Sequence, residues 1–163
     1  MDAHDLLQPL ATAPTQVWFD NRLQLHHVLE HCLVDIGGAA DVVITTFSIS
    51  EEFIRKMFVL KKRNLIRKAT LVADRKAMRK LLNLLHFVNN TFDEVYLCDT
   101  HAKVLLLTTA THQVSITTSQ NQTRGNRYEA GIISTDPSIY AYYTETISHI
   151  INTQTIALYE LFD

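Results

Sequence analysis

Cysteine occurs only twice, at Cys32 and Cys98, which excludes a disulfide framework and makes a reducing, cytoplasmic setting the expectation. No apolar run approaches the ~20 residues that span a bilayer, so no stable membrane insertion is expected. The opening residues, Met1 to Pro9, lack a basic segment followed by an apolar one, and no secretory signal is read there. There is no internal repeat and no low-complexity tract. The net charge is only −2, so total charge gives no reason to expect a polyanionic partner.

What is present is an ordinary globular composition, 47% hydrophobic and 20% charged over 163 residues. A chain of this length buries roughly 70% of its unfolded surface and holds a core without staples. We expect a loose lead-in over 1–15, with Pro9 and Pro14, and one domain over 16–163.

Charge is strongly segregated. Eleven of the fifteen Lys and Arg residues lie between Arg55 and Lys80, where the one acid is Asp74. Such a stretch is either a solvated helical face or a footprint for phosphates. On the second reading Lys61, Lys62, Arg63, Arg67 and Lys68 bind substrate.

Periodicity outlines the elements. Gln16 to Phe19 reads as a short edge strand. Leu25, Val28, Leu29, Cys32, Leu33 and Ile36 have helical spacing, and Gly37-Gly38 ends that helix. The run 41–49 is β-branched and apolar, a buried strand. Ser48 or Ser50 then caps a helix to about Arg63, with Glu51 and Glu52 in its first turn. A short strand over 69–73 precedes a helix from Arg75 to about Phe87, capped by Asp74 and broken by Asn89-Asn90. Strands follow over 93–98, from His101 to about Leu107, 113–118 and 129–134, with a turn at Thr109 to His112. Asp136-Pro137 opens a last helix with apolar residues from Ile139 to Ile156. The order predicts an α/β fold, a mixed sheet flanked by helices.

Chemistry concentrates in the strands of the second half. If His101-Ala102-Lys103 is extended, His101 and Lys103 share one face. The next strand runs back and delivers Ser119 and Asn121, and Glu129 opens the one after. Imidazole, ammonium, hydroxyl, amide and carboxylate at one sheet end suit phosphoryl chemistry. The imidazole serves as nucleophile or acid/base, ammonium and amide hold phosphoryl oxygens, and the carboxylate orients the ring.

These residues resemble the phospholipase D superfamily, whose signature is His-x-Lys-x4-Asp followed by Gly-Ser-x-Asn. The match reads His101-Ala102-Lys103, then Thr118-Ser119-Gln120-Asn121, with Thr123 and Glu129 beyond, and covers roughly residues 22–135. The Asp position of the signature is Thr108 and its Gly is Thr118.

The resemblance implies a phospholipase D-like fold and a metal-independent phosphodiesterase or nuclease, acting without a cofactor through a phosphohistidine on His101. Lys103, Asn121, Ser119 and Glu129 are its expected catalytic companions, and Arg124 and Arg127 its expected substrate contacts. One motif per chain implies a homodimer, as in the small endonuclease branch, with nucleic acid as partner. The alternatives are a nucleic-acid-binding dimer with a degenerate site, for which Thr108 argues, and a phospholipid headgroup hydrolase or transferase.

His27 and His31 stand at i, i+4 on a helix, a spacing that can hold zinc. No third ligand accompanies them, and an amphipathic face is the expectation; no metal site is assigned. Cys32 and Cys98 read as small buried hydrophobes.

Overall fold

A computed structural model describes residues 3–122 and 126–162. The strands are β1 (Thr15–Asp20), β2 (Ala40–Thr46), β3 (Ile66–Asp74), β4 (Glu94–Cys98), β5 (Val104–Thr108), β6 (Gln113–Thr118), β7 (Glu129–Ser134) and β8 (Ile156–Ala157). The helices are α1 (Leu25–Asp35), α2 (Glu51–Lys62), α3 (Met78–Asn83), α4 (Leu85–Thr91) and α5 (Pro137–Gln154). The strands form one mixed sheet in the order β1-β7-β6-β5-β2-β3-β4-β8. Among the described strands β2-β3 and β3-β4 pair in parallel, because helices connect those strands, whereas the β5-β6 hairpin is antiparallel.

The β-branched run in β2 is central because it meets apolar side chains on both sides of the sheet. Val42 and Ile44 pack with α1 to α4, through residues such as Val28, Leu29, Ile54, Leu81 and Val88. Val43 faces the opposite layer, where α5 supplies Tyr140 and Ile147 against Val72, Val104 and Leu106. The result is a helix–sheet–helix sandwich, and the predicted α/β class holds.

Local chemistry sets the element ends. Ser50 accepts a hydrogen bond from the Phe53 amide (3.1 Å) and caps α2, with Glu51 and Glu52 behind it. Gly37 and Gly38 both have positive φ, and the Gly38 amide bonds the Leu33 carbonyl at 2.9 Å, closing α1.

Four expectations change. The predicted 75–87 helix is a 3-10 turn (Arg75–Ala77) followed by two helices that break at Leu84, whose amide is shared by the Lys80 and Leu81 carbonyls. Asn89 and Asn90 do not break it. Asn90 bonds back to the His86 carbonyl (2.7 Å) and is accommodated inside α4, and the chain turns extended only at buried Phe92. Ile156 leaves the stripe of the last helix for the two-residue strand β8. The lead-in is packed, not loose: Leu7 and Leu10 are buried, and the Leu10 amide bonds Asp35.

At Gly131 the sheet meets Trp18 of β1 face to face. A Cβ there would lie 2.2 Å from the indole ring, so the ring occupies the space a side chain needs. Gly131→Ala should therefore lower stability by roughly 1–3 kcal/mol, read from urea unfolding, by forcing Trp18 out of its buried place.

Candidate active site

The loop from β4 to β5 sets the site. Because β3 and β2 lie between those strands in the sheet, residues 99–103 must cross their carboxyl ends. Open α/β sheets bind ligands outside such ends. Two side chains pin the crossing. Asp74, at the end of β3, accepts from the Thr100 amide (3.0 Å) and the Lys76 amide (2.9 Å). Thr45 of β2 donates to the Ala102 carbonyl (3.2 Å) and accepts from the Val104 amide (3.0 Å).

His101 and Lys103 therefore sit on this loop and not on the predicted strand, which begins at Val104. They still meet. Lys103 is buried, and its Nζ lies 2.9 Å from the His101 carbonyl and 3.1 Å from His101 Nδ1. An ammonium has only donors, so Nδ1 accepts, and the neutral ring carries its proton on Nε2. The exposed imidazole also packs against Phe47, with centroids 4.7 Å apart.

The neighbouring strand ends add the rest. The Thr118 amide bonds the Lys103 carbonyl (3.1 Å), bringing the end of β6 alongside. Ser119 donates its hydroxyl to Glu129 and accepts from the Ala130 amide (3.0 Å). Burial pushes the Lys103 pKa below the ordinary lysine value, and the Glu129 carboxylate offsets part of that. Among the described residues Glu129 is thus partner to Ser119 and counter-charge to Lys103, whereas the ring nitrogen of His101 is taken by Lys103 and not by Glu129 as expected. Past Ser119 the chain crosses to the start of α2. The Gln122 amide bonds the Ser48 carbonyl (3.1 Å), and the Ser50 amide bonds the Gln122 carbonyl (2.7 Å). Asn121 lies in this crossing with a buried Oδ1 that has no partner among the described residues.

Arg127 is exposed next to Tyr128 and Glu129. Arg124, with Thr123, lies outside the described residues.

The predicted basic footprint is not brought here. Lys61 pairs with Asp93 (2.8 Å), Arg63 with Glu30, Arg67 with Asp41 (2.5 Å) and Lys68 with Glu94 (3.2 Å). Lys62 lies over the Phe58 ring. Lys68 stands opposite Asp41 and Ala73 opposite Thr46, so the cluster sits roughly 16 Å down the strands from the site. Acids distant in sequence pair with four of its five cations there.

His31 bonds the Gln8 carbonyl (3.0 Å), and among the described residues no three His, Cys, Asp or Glu side chains gather as a metal cluster. Two residues escaped sequence reasoning. Phe47 looked like another apolar strand residue, and Lys76 like one more charge in a run.

No family model matches the chain, and no curated protein matches it. Solved structures do. NucT from Helicobacter pylori is similar at a TM-score of 0.62 and 14% identity, over 86% of this chain and 96% of that one. TrmBL2, an archaeal chromatin protein whose structure shows a novel mode of DNA binding, reaches 0.62 at 11% identity, over 88% of this chain and 54% of that one. Polyphosphate kinase from Porphyromonas gingivalis reaches 0.58 at 10% identity, over 89% of this chain and 24% of that one. The likeness is one of fold. The chain has a phospholipase D-like fold. No helix among the described residues is long and apolar enough to cross a membrane.

A buried ammonium costs stability. With its pKa lowered by folding, the cost is full below the folded value and is relieved as pH rises toward the ordinary lysine value of 10.5. Lys103→Met should therefore melt at or above the wild-type temperature at pH 7, with the gap narrowing near pH 10, read from thermal unfolding at the two pH values.

Proposed function

We propose that the chain is a metal-independent phosphodiesterase that cleaves nucleic acid through a phosphohistidine, in a site completed by a second copy. The observation that carries the reading is the contact of buried Lys103 with His101 Nδ1, on the loop over the carboxyl ends of β2 and β3.

In the resting site the ring proton sits on Nε2, so the nucleophilic lone pair is withheld. When a phosphoryl oxygen draws the Lys103 ammonium away, Nδ1 is free to take the ring proton. Nε2 then attacks phosphorus. The bond to the leaving oxygen breaks, and that oxygen takes a proton from His101 of the second copy. That imidazole next accepts a proton from water, the water oxygen attacks phosphorus, and the phosphorus–nitrogen bond breaks. Lys103 and Asn121 of both copies hold the phosphoryl oxygens, supplying the electrostatic stabilisation the step needs. Ser119 holds Glu129 as the counter-charge that keeps Lys103 ionised. Arg127 meets the substrate beside it, and Arg124 is a further substrate contact on the sequence resemblance alone.

Support for the homodimer is twofold. The motif occurs once per chain. Beside the site, Val17, Phe19, Ile132 and Tyr128 are exposed on one face of β1 and β7, with Phe19 and Tyr128 stacked at 5.7 Å. Tyr128 directly precedes Glu129, which stands opposite Asp20 at that end of the β1-β7 pair, and an exposed patch of this kind marks an interaction surface.

A second reading, a nucleic-acid-binding dimer without turnover, is favoured by the likeness to DNA-binding TrmBL2 and by Thr108 in place of the motif Asp. Thr108, however, stands opposite Asp41 at the far end of β5, roughly 16 Å of chain from Lys103. Its change takes no carboxylate from the catalytic loop, which favours the enzyme.

Sedimentation at micromolar concentration should give about twice 18.6 kDa. His101→Ala should lower turnover of a plasmid or RNA substrate by about 10³-fold or more while leaving the dimer intact. A strictly monomeric yet fully active protein would remove the two-histidine mechanism. Binding without any wild-type turnover would leave the second reading.

A further inference from the structure

Phe47 leaves β2 directly beneath the catalytic loop, half-buried, with His101 against its ring. The Lys76 ammonium lies over the same ring, 5.5 Å from its centroid. Lys76 is exposed, as is its neighbour Arg75. The anionic groups near them leave both cations available. Asp74 is buried and spends its oxygens on the Lys76 and Thr100 amides. Asp99 is 88% exposed and 3.6 Å from Arg75, a surface pair of little worth. Elsewhere in the basic run, Lys61, Arg63, Arg67 and Lys68 are neutralised at the other end of the sheet.

An aromatic face one ring away from the nucleophile, with an exposed cation over it, is suited to an unpaired nucleobase. The base would stack on Phe47, and the displaced ammonium would meet the adjoining phosphate. A duplex has no internal base face to offer, because its bases are stacked on one another.

We propose that Phe47 is a nucleobase platform and that Lys76, with Arg75, carries the next phosphate, so that the site takes single-stranded nucleic acid. The proposal rests on the phosphodiesterase reading for the position of the scissile bond alone.

The test is fluorescence anisotropy with a labelled oligothymidylate and a labelled duplex of equal length, each shown intact by gel after the measurement. The wild type should bind the single strand more tightly. Phe47→Leu, which keeps apolar volume beneath the loop, should weaken single-strand binding about ten-fold or more and leave duplex binding within about two-fold. Phe47→Trp should restore it. Lys76→Gln should lower the slope of log affinity against log salt by about one.

Equal losses on both probes, no loss, or tighter duplex binding would overturn the proposal. Hydrolysis of bis(p-nitrophenyl) phosphate without any oligothymidylate binding would overturn it while sparing the phosphodiesterase. The expected binding pattern with no diester hydrolysed would do the reverse.

Discussion

The Lys103 ammonium is held between the carbonyl and the ring nitrogen of its own near neighbour, and the arrangement at the rim depends on that constraint. A buried cation is costly to desolvate and persists where partners surround it. Its partners here are His101 and the nearby carboxylate of Glu129, while Thr45, Asp74 and Thr118 fix the backbone on either side of it. Each of those contacts shapes the loop that carries His101. The same bond that orients the imidazole also decides which nitrogen bears its proton. On the proposed mechanism, substrate binding and activation of the nucleophile are one event, because the phosphate competes with the ring for the ammonium.

Topology supplies the rest. A chain that leaves β4 and must reach β5 has two strands to cross, and the crossing places polar groups over their carboxyl ends. The opposite end of the sheet does different work. There the ion pairs of Lys61, Arg63, Arg67 and Lys68 join α2 and β3 to acids of α1, β2 and β4 and the segment before β4. The basic run is therefore divided. Its middle is paired with acids from elsewhere in the chain, and its part just past β3 borders the loop that carries His101.

The alternation and helical spacing of apolar residues made the fold legible, because burial on one or both faces leaves a period in the sequence. Ser50, Gly37-Gly38 and Asp136 marked their element ends for the same reason that they form them: side-chain acceptors and positive φ are local properties. The site was legible as a set, since His101, Lys103, Ser119 and Glu129 do converge, but not in its pairings. Lys103 rather than Glu129 meets the imidazole, because the loop leaves the regular strand before Val104 and alternation no longer applies. The partners of the charge run were not legible because pairing is a tertiary matter: Asp41 and Arg67 are 26 residues apart in sequence and meet only when β2 and β3 pair. Phe47 and Lys76 were silent for the same reason.

The central claim is that His101 becomes covalently bonded to phosphorus. It is tested most directly by quenching the protein at neutral pH during turnover of a short oligonucleotide and mapping the adduct by mass spectrometry. The account predicts one nucleotidyl or phosphoryl group per active site, attached to His101 through nitrogen and labile to acid. Turnover with no adduct on His101, or with the adduct on another residue, would contradict it.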